Sequence, residues 1–356
     1  MSSHDPDSQE LEGRPSRRAF VVLAGAGVAA LGAAGIAATS GFLRPQQPAA
    51  PGAGAQPAAP AQPAEPAQPA WTRGSRLFSA DSPWNTPIPQ NPAIDPASAA
   101  VQKAVLRNPK LVVNTILYSY GIPFYTATAS TPRRQLRGRG AFDDPIPLDP
   151  SWRPNAGGDR KMNVLDPQRG LVYELQGYDA ANRSAYWAVT RDIVNDKGDG
   201  GTSFGRTGPT GSGLSQAAGV VRIDEIRAGR IDHALSFITA DPARGFRYPA
   251  THGDGSNTAA GAIQEGMRVQ LDPALDLTTL DLTDAERAIG RALQVYGAFC
   301  SDTGRGNNMA MGFYMEKPTA GTGDPYKAAG LPEDWAQLKN IPRSAYRVLA
   351  ASVTKR

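Results

Sequence analysis

Cysteine occurs once in 356 residues, as Cys300, and histidine three times. A single thiol excludes an intramolecular disulfide framework, so the fold must rest on its core. Cys300 directly follows a helical pattern and reads as a buried structural thiol rather than a nucleophile. Also missing are HExxH, a Walker loop and a GxSxG nucleophile elbow. The glycine-rich run GDGGTSFGRTGPTGSG, residues 198–213, has neither the lysine nor the helix of a phosphate-binding loop. Asp192, Asp196 and Asp199 around its start lack the alternating ligands and closing glutamate of a calcium loop. The run reads as a mobile loop, of a length often used as a lid beside a cleft. No repeat of about 20–50 residues is visible. No motif joins stacked aromatics to basic side chains, which argues against a nucleic-acid partner.

What is present begins with Ser16, Arg17, Arg18, Ala19 and Phe20, a twin-arginine pattern followed by a weakly apolar Gly/Ala run. Residues 1–40 resemble a signal for the twin-arginine translocation (Tat) machinery, with small residues near Ala37 and Ala38 permitting cleavage. Retention as an N-terminal membrane anchor is the alternative, since the run is about 20 residues long. Residues 41–70 are dominated by Pro and Ala with almost no charge. They cannot bury enough surface to offset their ordering entropy, so they read as a disordered, semi-rigid spacer. The expected location is outside the cytoplasm, secreted or in the cell envelope. A lone cysteine fits a chain that folds before export.

Residues 71–356 are long enough for one globular domain with a full core. They carry 33 Lys and Arg against 28 Asp and Glu. The one dense basic stretch, RRQLRGR at 133–139, reads as a solvated loop, with an acidic polymer site as the alternative. Residues 111–127, LVVNTILYSYGIPFYTA, predict two strands around a bend near Gly121. DRKMNVLDPQRGLVYE at 159–174 predicts a hairpin, its turn made by Pro167 and Gly170. Residues 185–194, 233–239, 266–271 and 310–315 predict further strands. One late helix is signalled by the Thr283/Glu286 capping box, by Ile289, Ala292, Leu293 and Tyr296 at helical spacing, and by Gly297 as a stop. Together these predict a mainly β fold, an antiparallel β-sandwich of jelly-roll type with one packed late helix.

Two histidines fall in this region. On a strand beginning at His233, that imidazole shares a face with Leu235 and Phe237. It is then either a core-edge histidine satisfied by Asp224 or Glu225, or a group tuned on a concave floor. His252, in YPATHGDG with Asp254 close by, is either a surface residue or a proton carrier.

The stretch GVVRIDEIRAGRIDHALSF (219–237) resembles a signature of exported, largely actinobacterial proteins. In that family a GLIR-x-x-E element and I-x-HAL-x-F are followed by PA-x-H, EG-x-R and YG…D-x-G elements. Matching positions here are Arg222, Glu225, Gly229 and His233, then His252, Glu265, Arg268, Tyr296 and Asp302. The hairpin at 159–174 and Ser82, Pro83, Trp84, Asn85 match as well, so the resemblance spans residues 76–350. No activity attaches to the family. By analogy its members are similar to secreted carbohydrate-active β-sandwich proteins.

These readings give an expectation: a secreted enzyme cleaving an extracellular polysaccharide, as a lyase or a glycoside hydrolase. His233, His252, Asp302 and Glu174 are the candidate catalytic groups. Arg268, Arg222, Trp187 and Tyr173 are the candidates for substrate binding. A uronate polymer would use Arg268 against the carboxylate and a histidine as base; a neutral one would use Glu174 and Asp302 as acid and base. No metal ligands are assigned and the cofactor is unknown. The competing class is a non-catalytic cell-wall or glycan-binding envelope protein that uses the same aromatics.

Overall fold

A computed structural model describes residues 76–139, 142–200 and 208–351. The export segment (1–40) and the Pro/Ala spacer (41–70) lie outside these residues. No helix among the described residues is long and apolar enough to cross a membrane.

Among the described residues twelve strands form three sheets. The larger sheet has six: β1 (Val112–Ile116), β8 (Leu235–Thr239), β9 (Arg268–Leu271), β10 (Ala298–Thr303), β11 (Met309–Tyr314) and β12 (Tyr346–Val348), in the order β1-β11-β8-β10-β9-β12. It curls into a half barrel. The second has four, in the order β2-β5-β6-β7: β2 (Phe124–Thr126), β5 (Met162–Asp166), β6 (Leu171–Gln176) and β7 (Trp187–Asp192). A short ribbon pairs β3 (Arg133–Arg134) with β4 (Ile146–Pro147). The fold is mainly β, as expected. The sheets are mixed rather than antiparallel: β1 with β11, β8 with β10, and β2 with β5 all run parallel. The reason is visible in burial. Strands β8 and β11 are buried along their whole length, so neither has a solvent face, even though β8 carries the polar Ser236 and Thr239.

The late helix forms as its caps dictate. Thr283 Oγ1 accepts from the Glu286 amide and the Glu286 carboxylate accepts from the Thr283 amide, which starts α3 (Asp284–Val295). Its Ile289 and Leu293 are fully buried against the larger sheet. Each contributes about 1.5–3 kcal/mol by leaving water. It is not the only helix: α1 (Ser98–Val101) runs into a π-helical turn, and α2 (Ile223–Ala228) precedes β8. The β5–β6 hairpin turns at Gly170, whose φ of 64° suits glycine. A second apolar cluster draws Ile116, Ile238 and Phe299 from the larger sheet together with Phe124, Leu165 and Val172 from the smaller.

Candidate functional site

The parallel pair β8/β10 sets what can meet. Asp302 lies opposite Ile238, near the end of β8, whereas His233 precedes the start of that strand. Five residues separate the two levels, roughly 16 Å at ~3.3 Å per residue. His233 therefore does not share a site with Asp302.

His233 is buried beside α2. Its Nδ1 lies 2.8 Å from the Ala234 carbonyl and its Nε2 3.1 Å from Glu225 Oε1. The same Glu225 oxygen takes Arg222 Nη2 at 2.7 Å, and Oε2 takes the Arg222 amide at 2.8 Å. Burial pushes the Glu225 carboxyl up, but the charges of His233 and Arg222 outweigh it and hold it at about 2. His233 and Arg222 thus stand in an ion network that caps α2, the core-edge alternative of the sequence reading.

Glu174 is also fully enclosed. It accepts from Arg191 Nε at 3.1 Å, from Ser215 Oγ and from the Ala217 amide at 3.1 Å. Arg191 in turn donates to the Gly213 carbonyl at 3.0 Å. This clamp fixes the segment 208–217. That segment presents the Gly211 amide to Asp302 Oδ1 at 3.1 Å.

Around Asp302 the remaining groups converge. Asp254, Glu265 and Asp302 each offer a carboxylate oxygen, and these oxygens lie within 4.8 Å of one another. Among the described residues this is the one group whose spacing suits a cation. Lys161 Nζ is 2.8 Å from Asp302 Oδ2 and 3.3 Å from the Tyr314 hydroxyl, with the Lys161 side chain almost wholly buried. Burial lowers the Lys161 pKa, yet Asp302, Tyr314 and Asp159 together raise it above the usual range, so it keeps its charge. Glu265 has no exposed surface. Its Oε2 accepts from the Asp254 amide at 2.8 Å, but its Oε1 has no donor. Burial, then the charges of Asp254 and Asp302, push its carboxyl up to about 8. Asp254 is exposed and is raised by the same causes, burial first and Asp302 second. His252 is half-buried, two residues before Asp254, and its charge acts on that carboxylate. Its amide donates to the Ser212 carbonyl at 3.4 Å.

A Cβ at Gly211 would stand 2.8 Å from Glu265 Oε1 and 2.9 Å from Asp254 Oδ1. Only a residue without a side chain lets this loop approach the carboxylates so closely.

The residues expected to bind substrate are dispersed. Arg268 donates to the Tyr296 carbonyl through Nε (2.9 Å) and Nη2 (2.6 Å), and to the Thr86 carbonyl at 2.9 Å. It lines a cavity of about 220 Å³ with Arg247 and Tyr248, and burial lowers its pKa to about 10. Trp187, on the edge strand β7, is half-buried with the Arg139 guanidinium 5.3 Å from its ring centre. Tyr173 on β6 is buried, and its hydroxyl accepts from Arg133 at 3.3 Å.

Of the expected catalytic groups, the structure gathers Asp302 and His252. Two members were not singled out by sequence reasoning. Glu265 stood there only as a letter of a motif, and Lys161 only as part of a hairpin. One signal was available for Lys161: a charged residue directly before the buried run MNVLD. Cys300 is buried, and burial raises its pKa well above the ordinary thiol value. Compared with protein-family models, with curated proteins and with solved structures, the chain matches none.

Proposed function

We propose that this chain is an exported carbohydrate-active enzyme that hydrolyses an extracellular polysaccharide, with Asp254 and Asp302 as its working carboxylates. The observation that carries this reading is the three-carboxylate cluster facing Lys161. Like charges held this close in a desolvated place share protons, and a pair of carboxyls with divergent environments is what acid–base catalysis needs. Asp254, exposed and raised, donates its proton to the glycosidic oxygen as the bond to C1 breaks. Asp302 attacks C1 and forms a glycosyl ester. Water then attacks C1, Asp254 takes its proton, and Asp302 leaves. Glu265 acts from behind, keeping the proton on the cluster. His252 borders Asp254 and assists its proton exchange with solvent. Carboxylate oxygens within 4.8 Å of one another are closer to the ~5–5.5 Å spacing of retaining pairs than to the ~6.5–9.5 Å of inverting ones.

Elimination is less well supported, because Arg268 already spends donors on backbone carbonyls. Export by the Tat route, and a location outside the cytoplasm or in the envelope, belong to the same proposal and rest on the twin-arginine pattern. A jelly-roll-like facing of the two sheets is proposed with it, supported by the apolar cluster they share.

A second reading has its own observation. The donorless Glu265 Oε1 beside two other carboxylates also suits a divalent cation with oxygen ligands. Thermal melts of the full chain with Ca²⁺, Mg²⁺, Mn²⁺ or chelator separate the two. A rise of several degrees with one ion, lost in Asp254→Asn, supports the cation.

The test is to incubate the full chain with a panel of acidic and neutral polysaccharides. Reducing ends and the absorbance of unsaturated uronates are followed together. Reducing ends without the absorbance, lost in Asp254→Asn and in Asp302→Asn, supports hydrolysis. Absorbance signals a lyase instead. Binding of a glycan with no product from any polymer supports the non-catalytic alternative.

A further inference from the structure

A separate cavity of about 430 Å³ opens where β2 meets the segment after β11. Its size falls within the ~300–1,000 Å³ of small-molecule sites. Three prolines, Pro123, Pro154 and Pro318, stiffen its wall. Tyr125 and Trp152, also lining it, stack with ring centres 4.9 Å apart and planes 11° from parallel. The Tyr125 hydroxyl donates to the Arg153 carbonyl at 2.9 Å and accepts from its amide at 3.1 Å, which fixes the pair.

The charges around this cavity are one-sided. Arg153 and Lys317 line it, and neither forms an ion pair among the described residues. The Arg153 guanidinium donates only to the carbonyls of Pro150 and Trp152, at 2.6 and 2.9 Å. Among the described residues, no carboxylate lines the cavity. The neighbouring Asp149 is turned onto Ser151, accepting from its amide at 2.8 Å and its hydroxyl at 2.6 Å. A preformed apolar wall with an aromatic pair suits a sugar ring, and two uncompensated cations suit an anion carried on it.

We infer that this cavity is a binding subsite for a carboxylate-bearing sugar, a hexuronate unit of the polysaccharide. The inference rests on the glycan reading of the chain, and not on the chemistry assigned to Asp254 and Asp302. It names the class of polymer that the proposed function leaves open.

Calorimetric titration of the full chain in its Asp254→Asn form, with oligogalacturonate and with a neutral oligosaccharide of equal length, tests it. The acidic oligomer should bind at least tenfold more tightly at low salt. Arg153→Ala combined with Lys317→Ala should remove that preference, while Trp152→Ala should weaken both ligands. Equal binding of the two oligomers, no binding of the acidic one, or an unchanged preference in the double variant overturns the inference. Inorganic phosphate competing as strongly as galacturonate overturns the carboxylate assignment. Tight uronate binding by wild-type protein that releases no product keeps the subsite and removes the hydrolase.

Discussion

Lys161 and Asp302, 141 residues apart in sequence, form a buried ion pair with Nζ 2.8 Å from Oδ2. The contact ties the hairpin of the smaller sheet to β10 of the larger one. Removing one partner of a buried pair leaves an uncompensated charge, at a cost of about 3–5 kcal/mol. Lys161→Met should therefore lower unfolding free energy by that amount. Lys161→Met with Asp302→Asn should recover a good part of it, because no lone charge is left. Urea denaturation of wild type and these two variants checks this. Equal stability of the single and double variants would contradict it.

Glu265 makes the opposite kind of statement. Its carboxyl is raised from 4.5 to about 8 in the folded chain, so between those pH values the native state holds a proton that the unfolded state has lost. Stability from this group is present below about pH 4.5 and is lost as pH rises through 8. The slope approaches ~1.4 kcal/mol per pH unit where one proton separates the states. Glu265→Gln, which cannot ionise, should flatten the decline in melting temperature between pH 5 and 8. A variant with the wild-type profile would place the buried proton elsewhere.

How much of this was legible in the sequence varies with the physics involved. Helix α3 announces itself through Thr283, Glu286 and a periodic apolar face, and the β5–β6 hairpin through Pro167 and Gly170. These are local signals. Strand β10 was hidden because Ala298, Cys300 and Ser301 have little β preference and follow a helix stop. Helix α2 has six residues, too few to show a period. Which strands lie parallel is decided by packing between segments distant in the chain and leaves no local mark. Asp302 and His252 were legible as candidate ionisable groups. The burial of Glu265 and Lys161 was not, because both types ordinarily face water.

The two histidines should separate cleanly on mutation. His233 bonds a buried carboxylate held at about 2, and Glu225 supplies stability above about pH 4.5 that fades as pH falls through 2. His233→Ala should cost about 1.5–3 kcal/mol at neutral pH, the range for hydrogen bonds to charged groups. It should also shift acid unfolding to higher pH. His252→Ala should leave stability within ~0.5 kcal/mol and reduce product release at least tenfold. Melting curves and reducing-end assays on both variants provide the check; the reverse pattern would exchange their roles.

Gly211 offers a local probe of the cluster. A methyl there meets Glu265 Oε1 and Asp254 Oδ1 at under 3 Å. Gly211→Ala should displace the loop from Asp302, cost about 1–3 kcal/mol as overpacking does, and lower turnover more than tenfold. Full activity in this variant would mean that the loop and the carboxylates are not jointly required.

The most direct trial of the account is product release from a uronate-containing polysaccharide by wild type, Asp254→Asn and Asp302→Asn at matched folding. The account predicts new reducing ends with retained anomeric configuration from wild type, and at least a hundredfold less from either variant. Undiminished release by both variants would contradict it.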